Sequence, residues 1–279
     1  MAYGLQINAL VAGNALNSAN AAAAQASERI STTLQINSAA DNPAGLAMAN
    51  RLKADISSYN AALANINSAI SMNETADTAL SSIAALLADM SALAVASSSD
   101  TASDDDRTNN QTEFSAYLAQ IETIASEAAY NGFSLLDGSN LSMDVQTGIN
   151  AGDTTSLTFF ASLTSDLGTT DSLSNLDVSS ASGADTAITV IAEALTTVEG
   201  YQAQTGAQAN VLSYQSDLTT SNITTHTSGY GNIMDADTAA ETAALAAAEI
   251  RQTASTAMVA QANSMSKELV SYLLSSYLN

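Results

Sequence analysis

Ile56-Ser-Ser-Tyr59-Asn-Ala-Ala-Leu63-Ala-Asn-Ile66-Asn-Ser-Ala-Ile70 places an apolar side chain at alternating steps of three and four residues. Leu80, Ile83, Leu87, Met90 and Ala94 resume the rhythm after what reads as a phase slip. That spacing is the signature of a coiled-coil seam. Upstream, Asn42 is placed to cap a helix, and Pro43 suits the first helical position, where its missing N–H costs nothing. At about 1.5 Å per residue, a helix from Pro43 to about Ser98 is on the order of 80 Å long. Pro43 also forces Asn42 out of helical geometry, so an upstream helix over about 3–34 is separated from the rod by a hinge at 35–42.

The same reading extends downstream. The polar run Ser97–Asp106 predicts a turn, and Phe114, Tyr117, Ile121, Ile124 and Ala128 give a second helix a matching seam, so that it folds back antiparallel. After Asn131 the texture changes to Gly, Asp, Ser and Thr. Alternation in Met143–Thr147 and Ser156–Phe159, with turn residues at Gly148–Asp153, predicts a hairpin. Residues 165–183 read as loop. A third seam runs through Ile188, Ile191, Leu195 and Val198, and more weakly through Ala209, Leu212 and Ile223, to a Gly-containing break at Ser228–Gly231. A last, Ala-dense helix covers about 237–278. The fold class is therefore mainly α: long antiparallel coiled-coil helices with paired termini and a small β-hairpin region.

Composition limits what such a chain does. Its 279 residues hold 28 Asp and Glu against 6 Lys and Arg, for a net charge of −22. A nucleic-acid partner requires clustered cations and is not expected, and an anionic membrane surface repels such a chain. With no Cys there is no disulfide, thiolate metal site or cysteine nucleophile. The apolar start lacks the basic n-region of a secretory leader, its first basic residue being Arg29. No stretch reads as the run of about 20 apolar residues that spans a membrane, so membrane insertion is not expected. With 56 Ala, 4 Phe and no Trp, burial comes from many small contacts.

Both ends carry apolar stripes: Leu5, Ile7, Leu10 and Val11 at one, and Met258, Ala262, Met265, Leu269, Tyr272 and Leu273 at the other. Neither is wide enough to stand alone. Pairing the termini, and then pairing copies of that pair, buries them.

Glu28-Arg-Ile-Ser-Thr-Thr-Leu-Gln-Ile-Asn-Ser-Ala-Ala-Asp-Asn-Pro-Ala-Gly45 closely resembles bacterial flagellin. Ala92–Val95, Tyr130-Asn-Gly-Phe133 with Leu135-Leu136, Asp235-Ala-Asp237 with Glu241, and Thr256–Asn263 follow in the family's order, so nearly the whole chain is covered. The resemblance implies a structural subunit of the extracellular flagellar filament, exported unfolded through the flagellar type III apparatus. It implies a terminal-helix domain, 1–42 with 235–279, lining the filament channel as the polymerisation core. Around it lies a helical rod domain, 43–234, with the hairpin and loop at about 140–183 and no large outer domain. Implied partners are further copies of the chain, cap and junction proteins, and an export chaperone at the C-terminal segment.

Several positions depart from the family pattern. Gln35 stands for a usual Arg, Ala40 for a common Lys, and Gly231-Asn-Ile233 for Ser-Arg-Ile. The family's site for the vertebrate Toll-like flagellin receptor falls on Leu93 and Glu113, but its Arg falls on Asp89. That change inverts the charge and predicts weak receptor activation. A hook–filament junction protein and, further off, a cytoplasmic signalling coiled coil are the alternative readings.

Other motifs read more simply as structure. His226 is the only histidine and lies near a seam position. Asp104–Asp106 lacks the spaced ligands of a calcium loop and reads as a solvated turn or helix start. Asp235 and Asp237 read as caps of the last helix, and Gly229-Tyr-Gly231 is too short to cradle phosphate. No catalytic residue, metal site or cofactor is expected, and the chain does not read as an enzyme.

Overall fold

The computed structural model describes the backbone of residues 2–168 and 170–277; the side chains of 2–6, 269, 272–274, 276 and 277 lie outside the described residues. Helix α1 spans Ala2–Thr32, α2 Pro43–Ser98 and α3 Asp104–Glu127. Two strand pairs follow, β1 (Ala129–Tyr130) with β2 (Phe133–Ser134) and β3 (Ser142–Gln146) with β4 (Thr154–Thr158), both antiparallel. Helices α4 (Ala181–Met234) and α5 (Thr238–Tyr277) complete the chain. The chain divides into two compact units, Met1–Ala54 with Thr225–Asn279, and Asp55–Thr224. The first is called the terminal unit below and the second the central unit.

The central unit holds the larger core. Ile66, Ala69, Asn73, Ala76, Leu80, Ile83, Leu87, Met90 and Ala94 are all buried, at unbroken steps of three and four. The expected phase slip is absent. It arose because Ala69, Asn73 and Ala76 are small or polar, so the apolar signal fades where the heptad continues. Phe114, Ile121 and Ala125 from α3, and Ala184, Ala187, Ile191, Ala194, Val198 and Leu212 from α4, close the same cluster. By length and composition α2 does contain a stretch apolar enough to cross a membrane, contrary to the sequence expectation; Leu80, Ile83, Leu87 and Met90 of this helix are buried in the core, while Val95 is 55% exposed.

At the start of α3 the turn is shorter than expected. Asp104–Asp106 form the first helical turn, where Ser103 and Asp106 make a reciprocal capping box. Arg107 Nε and Nη2 donate to the carbonyls of Ser97 and Ser99 at 2.8 Å each, closing the end of α2.

Between α3 and α4 the hairpin pairs Met143 with Leu157 and Val145 with Thr155, as the alternation predicts. The β1–β2 turn was not anticipated. Asn131 and Gly132 both adopt positive φ (49° and 82°), which an Asn-Gly dipeptide accommodates in a tight hairpin. Nor is 165–183 only loop: Leu167, Leu173, Leu176 and Val178 are buried, and α4 begins at Ala181. Four helix side chains hold this connection by its backbone. Gln208 accepts from Thr158 N and donates to Thr158 O, both at 3.0 Å. Glu122 accepts from Thr164 N, Glu193 from Thr170 N, and Gln111 from Val178 N.

The predicted break at Ser228–Gly231 does not occur. Helix α4 continues to Met234, because Tyr230, Ile233 and Met234 pack with Ile36 and Ala49 in a second small core. Asp237, as expected, accepts from the N–H groups of Ala239 and Ala240. Asp235 does not cap α5; it forms an isolated β-bridge with Leu34.

Candidate self-assembly interface

The terminal unit pairs α1 with α5 through small residues at heptad spacing. Ala12, Ala19 and Ala26 are buried on α1, and Ala248, Ser255 and Ala262 on α5, each set at intervals of seven. A seam of Ala and Ser lets helix backbones approach closely but removes little apolar surface from water. Polar links supplement it: Arg29 Nη1 lies 3.0 Å from Glu241 Oε1, and Gln252 Nε2 donates to Asn20 Oδ1 at 2.9 Å.

At the hinge, Gln35 N donates to Met234 O and Ala236 N to Thr33 O. Asp41 Oδ2 accepts from Asn37 N, Ser38 N and Ser38 Oγ. Bonds from Ser38 first, then Asn37, hold the Asp41 carboxyl below its usual range. Asn42 caps α2 through a bond from Gly45 N. A Cβ on Gly45 would sit 2.7 Å from both the Asn42 amide nitrogen and Ile36 Cδ1, so a larger residue there has to displace the tip of the Asn42 cap and of Ile36.

The paired helices leave their larger side chains outside. Ile7 is 58% exposed, Leu10 66%, Val11 60%, Met258 52% and Met265 45%. A groove of about 330 Å³ runs between the helices, lined among others by Val11, Met258 and Met265. Ala262 belongs to the inner seam and not to the exposed stripe; it is only 7% exposed. Ile250 and Val270 are exposed as well and were missed by sequence reasoning. Their signal is the complement of the seam: once the Ala heptads are placed inside, large apolar residues off that phase must face outward. Leu5, Leu269, Tyr272 and Leu273 have side chains outside the described residues.

In the central unit, Asp89 and Glu113 are exposed and Leu93 is half-buried. Tyr117 Oη donates to Glu113 Oε1 at 2.8 Å. The Tyr117 hydroxyl titrates above its normal range because of that bond, then burial and the fields of Glu113 and Asp89, so these acidic groups share one patch. Of the remaining motifs, His226 is half-buried on α4 and Gly229–Gly231 is helical. Asn73, which begins an Asn-x-Thr sequon, is buried. Among the described residues, no group of three or more Asp, Glu or His side chains is arranged to hold a metal ion.

A terminal helix pair with exposed apolar flanks and a central unit with a well-filled helical core are features of a coiled-coil structural protein. The family model for the bacterial flagellin N-terminal helical region matches residues 5–141, and that for the C-terminal helical region matches residues 188–273. The chain belongs to the bacterial flagellin family. It is 32% identical over 252 residues to a flagellin of Listeria monocytogenes, covering 86% of this chain and 88% of that one. A crystal structure of Bacillus cereus flagellin is 27% identical, covering 56% of this chain and 88% of that one, with a TM-score of 0.49. A solved structure described as a flagellar hook-associated protein of Vibrio parahaemolyticus shares the fold, with a TM-score of 0.59, at 17% identity over 70% of this chain and all of that one. Family membership identifies the chain as a structural subunit of the flagellar filament that polymerises with copies of itself.

Proposed function

We propose that assembly is driven by the exposed apolar flanks of the α1–α5 pair, with residues 1–42 and 235–279 forming the polymerisation core and 43–234 the layer around it. One observation carries the reading: the intrachain seam is already filled by Ala12, Ala19, Ala26, Ala248 and Ala262, yet Ile7, Leu10, Val11, Met258 and Met265 remain in water. Among the described residues nothing covers them, whereas copies added head to tail cover them repeatedly and leave open ends for growth. A thin seam also suits export. A pair that buries little apolar surface opens readily, which favours threading unfolded through the type III apparatus before assembly. Cap and junction proteins and a chaperone at the C-terminal segment are the accompanying partners.

The test is seeded elongation of the full chain, read by electron microscopy. Leu10→Asp or Met258→Asp is expected to stop growth while leaving α2–α4 folded, and growth at the wild-type rate overturns the reading. Added NaCl is expected to speed elongation, because screening beyond about 10 Å at 0.1 M weakens repulsion between acidic copies; a steep decline contradicts it. With Asp89 in place of the family's Arg, we also propose weak activation of the Toll-like flagellin receptor, and Asp89→Arg is expected to raise it in a reporter-cell assay.

A further inference from the structure

The inward phase of α4 repeats every seven residues through Val198, Thr205, Leu212 and Thr219, all of them buried. At its last position that phase borders a cleft of about 360 Å³, which lies within the central unit between α2, the tip of the β3–β4 hairpin and α4. The cleft is walled by Tyr59 from α2, by Thr147 and Asn150 from the hairpin, and by Gln215, Thr219 and Asn222 from α4. The last three stand at i, i+4 and i+7, so the helix turns them to one side.

Two observations mark the cleft as a site and not a packing fault. The side chains of Gln215, Thr219 and Asn222 make no hydrogen bond among the described residues, although Thr219 is only 1% exposed and the two amides are half-buried. Their donors and acceptors are met only by what enters the cleft. The facing wall, by contrast, is formed in advance by its own bonds. Gln146 Nε2 donates to the carbonyls of Gly148 and Asn150, and Thr147 N and Gly148 N both donate to Asp153 O. Asp153 Oδ2 accepts from Asn150 N and Nδ2, at 3.0 Å each. Asn65 Nδ2 donates to Gln146 O at 3.2 Å and ties the hairpin to α2.

We propose that this cleft binds a neutral sugar of one or two rings, a property independent of the filament reading above. The chemistry of the walls selects that class. No Lys or Arg lines the cleft and the chain carries a net charge of −22, so an anion is repelled. Asp153 is the one charged lining residue, one of its oxygens already holds the loop, and no group of three or more acidic or His side chains gathers to hold a metal ion among the described residues. An apolar ligand finds only Ile149 and the Tyr59 ring. Hydroxyl groups both donate and accept, and so do the amides of Gln215, Asn222 and Asn150 and the hydroxyl of Thr219. Tyr59 adds an aromatic ring whose negative face attracts the weakly positive C–H groups of a pyranose. The volume sits at the small end of the range for small-molecule sites, which admits one or two rings and no longer chain.

The experiment titrates the unseeded full-length chain with methyl glucoside, methyl galactoside, N-acetylglucosamine and maltose, followed by amide NMR shifts. At least one of the four is expected to move the side-chain amides of Asn150, Gln215 and Asn222 saturably, with a Kd on the order of 1–10 mM, as suits so small a ligand. Glucuronate, a sugar of the same ring size with a carboxylate, is expected to bind at least fivefold more weakly. Gln215→Leu and Asn222→Leu keep similar bulk without the amide and are each expected to weaken binding about tenfold, whereas Gln204→Leu, on the same helix outside the cleft, is expected to leave it unchanged. Should either variant lose helix content by circular dichroism, Thr219→Val replaces it, with a weakening of about threefold expected. Absence of saturable shifts from all four sugars, equal binding of glucuronate, or wild-type affinity in the folded Gln215→Leu and Asn222→Leu variants overturns the proposal.

Discussion

The terminal and central units are both antiparallel helix pairings at heptad spacing, yet they are built from opposite materials. In the central unit the seam positions are filled by Leu80, Ile83, Leu87, Met90, Phe114 and Ile121, and none of these is solvent-accessible. In the terminal unit the seam is Ala, Ser and Ala again, and the large side chains sit outside. A large-residue seam makes a unit stable by itself. A small-residue seam makes a pair whose stability depends on what covers its flanks. The chain thus holds one unit with a core of large buried side chains and one unit whose large apolar side chains stay in water.

The comparison breaks most readily in the central unit. Phe114→Ala empties a fully buried site, and full-chain denaturation should lose about 3–5 kcal/mol. The terminal unit should fail in the reverse sense, by addition and not deletion. Ala19→Leu inserts bulk into the tight α1–α5 seam and should cost about 1–3 kcal/mol, seen as lost amide-exchange protection in α1 and α5 but not in α3. Equal protection in all three helices would remove the distinction.

A smaller effect sharpens the contrast inside the central unit. Asn73 occupies a seam position, and its Oδ1 accepts no hydrogen bond among the described residues. Asn73→Leu removes that unmet desolvation cost but also the Asn73 Nδ2 bond to Thr205 O, so stability should change by less than about 1 kcal/mol. A polar residue in a seam specifies register at the expense of stability, so the variant should also show a second α2–α4 register in spin-label distances; a single register at wild-type distance argues that Asn73 has no such role.

The smallest effect is acid loosening. The Asp106, Asp137, Asp171 and Asp177 carboxyls of the central unit, and Asp41 of the hinge, titrate below 3.8 because they accept hydrogen bonds from Ser103, Ser139, Asn175 with Ser172, Ser179 and Ser38 respectively. A depressed folded value gives stability that is present above 3.8 and lost as pH falls through the folded values. Carboxyl NMR titration should give midpoints under 3.8 for these five, and Asp41→Asn should remove the acid sensitivity of the hinge while leaving that of α3.

Much of this was legible in the sequence because heptad spacing, an Asn-Pro helix start and an alternating hairpin are local signals. Leu80–Ala94, Asn42-Pro43 and Met143–Thr147 each declare their state within a few residues. Where the signal was weak, the reading slipped. Asn73 hid the continuing heptad, Gly229 and Gly231 suggested a break that tertiary packing of Ile233 and Met234 overrides, and the Ser- and Thr-rich 165–183 concealed four apolar residues that roof the core. The Asn131-Gly132 turn was readable from its dipeptide and was passed over.

By itself, then, the sequence determined the helices, their order, the hairpin and the family, since periodicity and motif order are properties of neighbours along the chain. Only the tertiary structure decided which face of each helix remains in water. Ala262 went inside and Met258 outside, and α4 kept one stripe for its own core and left Val211, Tyr214 and Leu218 uncovered. The physical reason is that a helix with apolar residues at two phases can bury either, and the choice falls to whichever phase the partner helix fits more closely.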